Sequence, residues 1–320
     1  MFKQPSSQTP PIKAIVTASE ARETRLGVLY ALICYCTWGV FPLYWSMLND
    51  QGMSASQLMG HRVFWASVCA LLLLFISRQQ DIVLSTFKKP KVVLVFFLAS
   101  MALGTNWLAY IYGVSINRVI EASLGYFMSP LMSIALARVF VGERINKAQS
   151  IAVFLACCGV LWLAVLGGQI PWIALLISIS WSFYSLLRKQ ASLSVIPGFT
   201  IETLLMLPFA LGYLFYLHTL GEFRFFDLPS KTILLIIGTG VLTSYPLLFF
   251  AAAAKRIRLN TLGILLYINP TMQFLIGLLI LKEPFDSMRF IAYVLVWIAV
   301  IIFTGSSYRE YKKTMLLNTD

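Results

Sequence analysis

Ten long apolar runs constrain this chain more than any other feature of its sequence. A helix that crosses the hydrocarbon core of a bilayer, which is about 30 Å thick, needs about 20 predominantly apolar residues. The runs reach that length, and their approximate extents are 26–48, 56–77, 92–113, 120–141, 148–166, 170–187, 199–218, 232–254, 260–281 and 288–307. Because lipid offers no hydrogen bonds to the backbone, runs this long without alternating polarity must be helices. We therefore expect an all-α integral membrane protein with ten transmembrane helices.

The composition excludes a water-soluble fold. Of the 320 residues, 59% are hydrophobic and only 12% are charged, whereas about 25% are charged in a typical soluble protein. The formal net charge of +12 would suggest nucleic acid binding in a soluble protein, but here the charges lie mainly between the apolar runs. We expect the lipid bilayer as the main surrounding and no nucleic acid partner. The five cysteines lie inside apolar runs, so neither a disulfide framework nor a metal site is indicated.

The basic residues predict the orientation. Eighteen lysine and arginine residues lie in the two tails and in every second connection, beginning with residues 78–91, and four lie in the other connections. The positive-inside rule then places both termini in the cytoplasm. Residues 1–25 contain three prolines and no apolar run, which predicts a partly disordered cytoplasmic tail, and residues 308–320 are the second cytoplasmic tail. Because the first apolar run is long enough to span, no cleavable signal peptide is expected.

The chain also repeats itself at a nearly constant offset. Glu143 recurs 140 residues later as Glu283, and Trp38 recurs 143 residues later as Trp181. Because each half has five spans and five is odd, the second half must enter the membrane from the opposite side.

We therefore predict an inverted repeat of residues 26–166 and 170–307, with residues 167–169 as an external joint. Such a repeat favours transport by alternating access, with a site between the halves near the bilayer midplane.

Three ionisable residues inside the runs are candidates for gating or ion coupling: His61, Arg62 and Glu202. Such residues are costly in a bilayer and usually have a function there. Arg62 either extends to the membrane interface or faces a hydrated cavity as an anion-binding or gating group. Glu202 is either stabilised by the dipole of its own helix or forms a site for a proton or a cation. Glu121, three residues after Arg118, favours an ion pair on one helical face.

Amide and aromatic side chains deep inside the runs are candidates for the wall of a solute cavity. Asn106, Trp107, Tyr126, Tyr267 and Asn269 all lie in the middle of predicted spans. Such a wall suits amphipathic organic solutes, including cations held by aromatic faces.

Three more aromatic residues, Trp38, Trp181 and Tyr184, belong either to this wall or to an interfacial belt. Pro130 and Pro270 lie inside runs, where proline predicts a packed kink.

Motifs of membrane enzymes are absent from the sequence. It has only two histidines and contains neither H-E-x-x-H nor a Walker G-x-x-x-x-G-K-[ST] motif, which metalloproteases and nucleotide hydrolases require. We expect neither an enzyme nor a cofactor.

Several short motifs in the runs point to one family. They are Thr37-Trp38-Gly39, His61-Arg62-Val63, Asn106-Trp107, Glu121-Ala122-Ser123-Leu124-Gly125-Tyr126-Phe127, Gly142-Glu143-Arg144, Ile201-Glu202-Thr203 and the segment from Leu262-Gly263 to Pro270. In combination they resemble the RarD-type branch of the EamA transporters, which belong to the drug/metabolite transporter superfamily. The resemblance covers about residues 24–308.

The resemblance implies a bacterial inner-membrane carrier of ten helices, built from two EamA repeats, that moves small metabolites, often amino acids. It also implies a cavity between the halves, with these lining candidates: Trp38, Asn106, Trp107, Tyr110, Tyr126, Trp181, Tyr245, Tyr267 and Asn269. Tyr184 joins them as a candidate from its position inside a span. The label "chloramphenicol-sensitive" of RarD-type proteins says little about the substrate.

Two classes of function therefore remain. The first is a secondary transporter of a small-molecule solute, driven by protons or by a counter-transported solute. Its substrates are amino acids or similar amphipathic or cationic solutes, or alternatively S-adenosylmethionine or a nucleoside-like metabolite. The second is a membrane sensor or scaffold that binds a solute without moving it. The substrate, the direction and the oligomeric state are left open by the sequence.

Overall fold

A computed structural model describes residues 12–49, 51–142, 146–165, 168, 170–190, 193–257 and 259–317. In this part of the chain the regular structure is helical throughout. The α-helices are α1 (Ile12–Gly39), α2 (Phe41–Asn49), α3 (Ala55–Ile76), α4 (Gln80–Phe87), α5 (Pro90–Ser115), α6 (Val119–Leu136), α7 (Lys147–Val165), α8 (Trp172–Gln190), α9 (Val195–Thr219), α10 (Ser230–Ala254), α11 (Leu259–Leu265), α12 (Ile268–Leu275) and α13 (Ser287–Leu317).

These helices confirm the predicted all-α membrane fold. Within the described ranges, nine helical segments are long and apolar enough to cross a bilayer, and Trp172–Arg188 is a shorter apolar helix that completes the ten. The first span consists of α1 and α2, and the ninth consists of α11, α12 and a π-helical segment, Ile276–Ile280. The fourth span ends in a matching π-helical segment, Ala137–Val141, so the two halves share this irregularity.

The N-terminal tail differs from the prediction in part, and part of the C-terminal tail is helical. Helix α1 begins at Ile12, directly after two prolines, and α13 continues to Leu317. Residues 12–25 contain no proline or glycine, so nothing in them interrupts a helix. The prediction for residues 1–11 and for residues 318–320 lies outside the described residues. Helix α4, which connects the second and third spans, was not predicted.

The helix contacts follow the repeat. Helix α1 packs on α10 and on α12, and its counterpart α8 packs on α5 and on α6. Helix α3 packs on its own counterpart α9, and α7 packs on its counterpart α13. These contacts of the first half therefore have equivalents in the second half. We call the end of the bundle at which α1 begins and α13 ends the tail end, and the other end, at which α7 ends and α8 begins, the joint end.

A proline sets the break in the first span. Pro42 has no N–H group, so the carbonyl of Trp38, four residues earlier, lacks its helical donor. The side chain of Gln273 supplies a donor, with Nε2 3.2 Å from the Trp38 oxygen. The carbonyl that is left without a donor at the break between α1 and α2 thus receives one from the other half of the molecule. A backbone inside lipid requires such a partner.

Two carboxylates connect helices at the joint end. Glu283 accepts hydrogen bonds from the backbone N–H groups of Val119 (2.6 Å) and Ile120 (2.8 Å), which begin α6. Glu121 pairs with Arg118, as expected, and also accepts a bond of 2.9 Å from the N–H of Ile173 in α8. Both contacts satisfy donors that a helix leaves free at its start.

Candidate functional site

A central cavity of about 450 Å³ lies between the two halves of the molecule. Its wall comes from both repeats: α1, α2, α3, α5 and α6 contribute from the first, and α8, α9, α10 and α12 from the second. Among the described residues, no group of histidine, cysteine, aspartate or glutamate side chains could hold a metal ion. The arrangement therefore offers a binding chamber built from aromatic rings, amides and three charged side chains.

Most of the predicted lining residues lie in this wall. They are Trp38, Asn106, Trp107, Tyr110, Tyr126, Trp181, Tyr184 and Asn269, together with the gating candidates Arg62 and Glu202.

Three predicted site residues lie outside it. The ring of Tyr245 packs on Phe249, with centroids 4.8 Å apart, and that of Tyr267 stacks on Phe127. His61 stacks on Phe225 in the connection between α9 and α10, with centroids 4.8 Å apart. Because neighbouring residues of a helix point about 100° apart, His61 faces away from the cavity that Arg62 enters.

Arg62 is buried and surrounded by aromatic rings. Its guanidinium carbon lies 4.1 Å from the ring centre of Trp107 and 5.1 Å from that of Trp45, distances typical of cation–π interactions. Its Nε donates to the hydroxyl of Thr243 in α10 at 3.1 Å. Only 4% of Arg62 is exposed, so the side chain does not extend to the membrane interface.

Glu202 has a charged partner. Its carboxylate lies 3.0 Å from Nε of Arg188 in α8, and the hydroxyl of Tyr184 donates to it at 3.4 Å. The guanidinium of Arg188 also lies over the ring of Phe96. A methyl group on Gly198 would come within 2.6 Å of the guanidinium, so the glycine makes room for the pair.

The amides of the wall fix neighbouring helices. Asn106 donates to the carbonyl of Ile177 in α8 at 3.0 Å and accepts a bond of 3.1 Å from the hydroxyl of Tyr126 in α6. Asn269 accepts a bond of 2.8 Å from the amide of Gln273. Asn106 thus lies where helices of the two halves meet, whereas the bond of Asn269 stays within α12.

Several wall residues were not predicted. Arg188 was counted only as a cytoplasmic charge, and Thr243 and Gln273 are single neutral residues inside apolar runs. Of these residues, only Gln273 could have been found from the sequence. An amide inside a span needs hydrogen-bond partners, and a carbonyl that faces a proline one turn later needs a donor from elsewhere. Phe41 has no sequence signal that separates it from an ordinary core residue.

The two ends of the cavity differ in exposure. Near Arg62, the wall residues Phe41, Trp107 and Thr243 are buried, whereas Ser185 and Val195, near Arg188, are partly exposed. Phe199 and Glu202 of the same end are buried, so the difference is confined to part of the wall.

Comparisons with known proteins all point to one family of membrane transporters. The EamA-like transporter family matches residues 25–165 and again residues 170–305. The transporter YojE of Bacillus subtilis (strain 168) is 40% identical over 291 residues, which cover 90% of this chain and 96% of that protein. Protein RarD of Escherichia coli (strain K12) is 36% identical over 295 residues, which cover 92% of this chain and 99% of that protein.

One solved crystal structure has the same fold, with a TM-score of 0.52 and 18% identity over 90% of this chain and 98% of that chain. The double match to one family agrees with the paired helix contacts of the two halves. The chain belongs to the EamA-like transporter family, in its RarD-type branch, and is a multi-pass membrane protein with a transporter fold.

Proposed function

We propose that this protein is a secondary transporter that moves small organic metabolites across the bacterial inner membrane by alternating access. The observation that carries the proposal is the central cavity of about 450 Å³ between the two repeats. Its volume lies in the range of about 300–1,000 Å³ that is usual for small-molecule sites. A chamber at the interface of inverted repeats is also where such carriers bind their solutes.

The wall favours amphipathic solutes such as amino acids. It combines the rings of Trp38, Trp107 and Trp181 with few polar groups, and its charges are those of Arg62 and of the pair Arg188 and Glu202. Because the pair is neutral as a whole, Arg62 leaves the chamber with a net positive charge. This charge disfavours solutes that carry only positive charge.

The repeats and the orientation are part of the proposal. Residues 26–166 and 170–307 act as two units that move against each other, and both termini lie in the cytoplasm. Protons or a counter-transported solute drive the cycle.

Transport into proteoliposomes tests the function. Liposomes that contain the protein are incubated with an isotope-labelled metabolite extract of bacterial cells, and the labelled solutes in the lumen are identified by mass spectrometry. We expect a restricted set of small metabolites to enter faster than into protein-free liposomes.

A variant that fills the chamber gives the matched control. Ser185→Trp places a large ring in the cavity and should stop this uptake, whereas Ser85→Trp changes an exposed residue of α4 and should leave it unchanged. Solutes that bind to the purified protein without entering the lumen would contradict transport and favour a sensor.

A further inference from the structure

We propose that Arg62 binds the carboxylate of the transported solute, so that the substrates are small organic acids, including amino acids, with one carboxylate and an apolar body. The inference rests on the proposed function and deepens it by naming the chemical group that the central cavity recognises. It is carried by the charge, the burial and the unused hydrogen-bonding capacity of the side chains around Arg62.

The charge of Arg62 has no acidic partner in the described part of the chain. Its contacts there are the hydroxyl of Thr243 and the rings of Phe41, Trp45 and Trp107. A guanidinium has five N–H donors, and only the Nε donor has an acceptor among the described residues. A buried, unpaired cation is costly, and an anionic ligand would remove that cost.

Apart from Oε1 of Glu202, which faces Arg188 at 3.0 Å, two buried groups of the wall lack hydrogen-bond partners among the residues that the structure describes. These are the hydroxyl of Tyr110, which is 3% exposed, and Oε1 of Gln273, which is 2% exposed. Tyr110 and Arg62 line the same cavity, so the O–H of Tyr110 is placed to donate to a carboxylate bound there. Gln273 offers an acceptor, which suits the ammonium group of an amino acid.

The charge balance limits the solute to one anionic group. Arg188 and Glu202 neutralise each other at 3.0 Å, so the wall carries a formal charge of +1 from Arg62. A planar guanidinium matches the two oxygens of a carboxylate. The rings of Trp38, Trp107 and Trp181 leave the rest of the chamber to an apolar body.

Paired ligands test the inference on the unmodified protein. The thermal unfolding midpoint of the purified protein in detergent is measured with 3-phenylpropanoate, 4-methylpentanoate and L-phenylalanine, and with the uncharged or cationic amide of each. Binding to the folded state raises the midpoint, and we expect the acids to raise it and the amides to leave it unchanged. The inference is overturned if no acid raises the midpoint more than its amide.

Variants assign the carboxylate to Arg62. Arg62→Gln should weaken the binding of the best acid about ten- to a hundredfold, the usual effect of losing a charged hydrogen bond, and Arg62→Lys should weaken it less. The matched control is Arg118→Gln, which changes an arginine of the joint end outside the cavity wall and should leave the affinity unchanged. Unaltered affinity of Arg62→Gln for the acid would overturn the assignment.

Tyr110→Phe keeps the assignment testable if Arg62→Gln does not fold. The variant removes only the hydroxyl, so it should weaken the binding of the acid several-fold while the affinity for the amide stays the same. An equal loss of affinity for acid and amide would contradict the shared carboxylate site.

Uptake measurements separate this inference from the proposed transport function. If amides or amines enter the proteoliposome lumen and acids neither bind nor enter, the carboxylate inference fails while transport stands.

Discussion

Arg62 and Glu202 are separated by 140 residues, the same offset that relates Glu143 to Glu283. They therefore lie at equivalent positions of α3 and α9, which pack on each other across the repeat. Their environments are nonetheless opposite: Glu202 has Arg188 as a partner, and Arg62 has aromatic rings and a single hydroxyl. In our account the solute completes the environment of Arg62, and Glu202 is available for ion coupling.

Glu202→Gln tests ion coupling at this residue. A carboxylate that takes up and releases a proton during each cycle can drive accumulation of the solute, and the glutamine resembles only its protonated form. We expect Glu202→Gln to abolish uptake driven by a proton gradient and to spare the exchange of labelled for unlabelled solute. Both fluxes are measured in proteoliposomes and normalised to inserted protein, with Glu202→Asp as the variant that keeps the charge. Unchanged proton-driven uptake in Glu202→Gln would exclude Glu202 as the coupling group.

Individual residues were predictable where their chemistry is unusual for a span. Asn106, Arg62 and Glu202 were found because amides and charges are rare in lipid-facing helices. The pairing of Glu202 with Arg188 was not predictable, because it depends on how closely α8 approaches α9. His61 was assigned with Arg62 because the two are adjacent in sequence, yet the helix turns them to different neighbours.

Helices α6 and α8, one from each repeat, cross at very short range. Gly125 of α6 lies against α8, where a methyl group would stand 2.7 Å from the carbonyl oxygen of Ala174 and 2.9 Å from Cβ of Ile177. Small residues allow this approach in membrane proteins. The contact positions both Tyr126 and Trp181, which lie next to it in the cavity wall.

Gly125→Ala tests this crossing. The added methyl group should force α6 and α8 apart, with an overpacking penalty of about 1–3 kcal/mol, and lower the thermal unfolding midpoint. The matched control is Gly212→Ala in α9, a helical glycine with open space around it, which should leave the midpoint unchanged or raise it. Equal midpoints for the two variants would contradict the close crossing.

The elements were predictable from the length of the apolar runs, but their breaks were not. Helix α6 continues through Pro130, so this proline does not divide its span, whereas Pro270 lies in the first turn of α12, where no donor is required. The break in the first span precedes Pro42, which the sequence offered no reason to prefer. Whether a proline interrupts a helix depends on a donor from elsewhere, and Gln273 supplies it only in the folded molecule.

The whole molecule combines two repeats around one chamber, and its orientation can be tested directly. Ser85 in α4 and Gln51 near the joint end are both exposed, and the excess of basic residues at the tail end predicts that only Ser85 faces the cytoplasm. In a cysteine-free background, Gln51→Cys should react with an impermeant maleimide on intact cells, and Ser85→Cys should react only after the membrane is opened. The reverse pattern would contradict the proposed orientation.

The duplication was predictable at this scale because residues such as Glu143 and Glu283 recur at a nearly constant offset, and the double family match agrees with it. The central location of the cavity was predictable because such carriers bind their solutes between the repeats. The conformation was not predictable. The wall near Arg62 is buried while Ser185 is partly exposed, and this difference depends on how the helices pack, which no motif in the sequence specifies.

The most direct test of the account is access to the chamber from both sides of the membrane. Ser129 lines the cavity in α6 and is 2% exposed, so a cysteine at this position reports only on solvent that enters the chamber. Ser129→Cys in the cysteine-free background is treated with an impermeant maleimide in right-side-out and in inside-out membrane vesicles, with Ser85→Cys as the one-sided control. We predict that Ser129→Cys reacts in both kinds of vesicle while Ser85→Cys reacts only in the inside-out vesicles. Reaction of Ser129→Cys from one side alone would contradict alternating access through the central cavity.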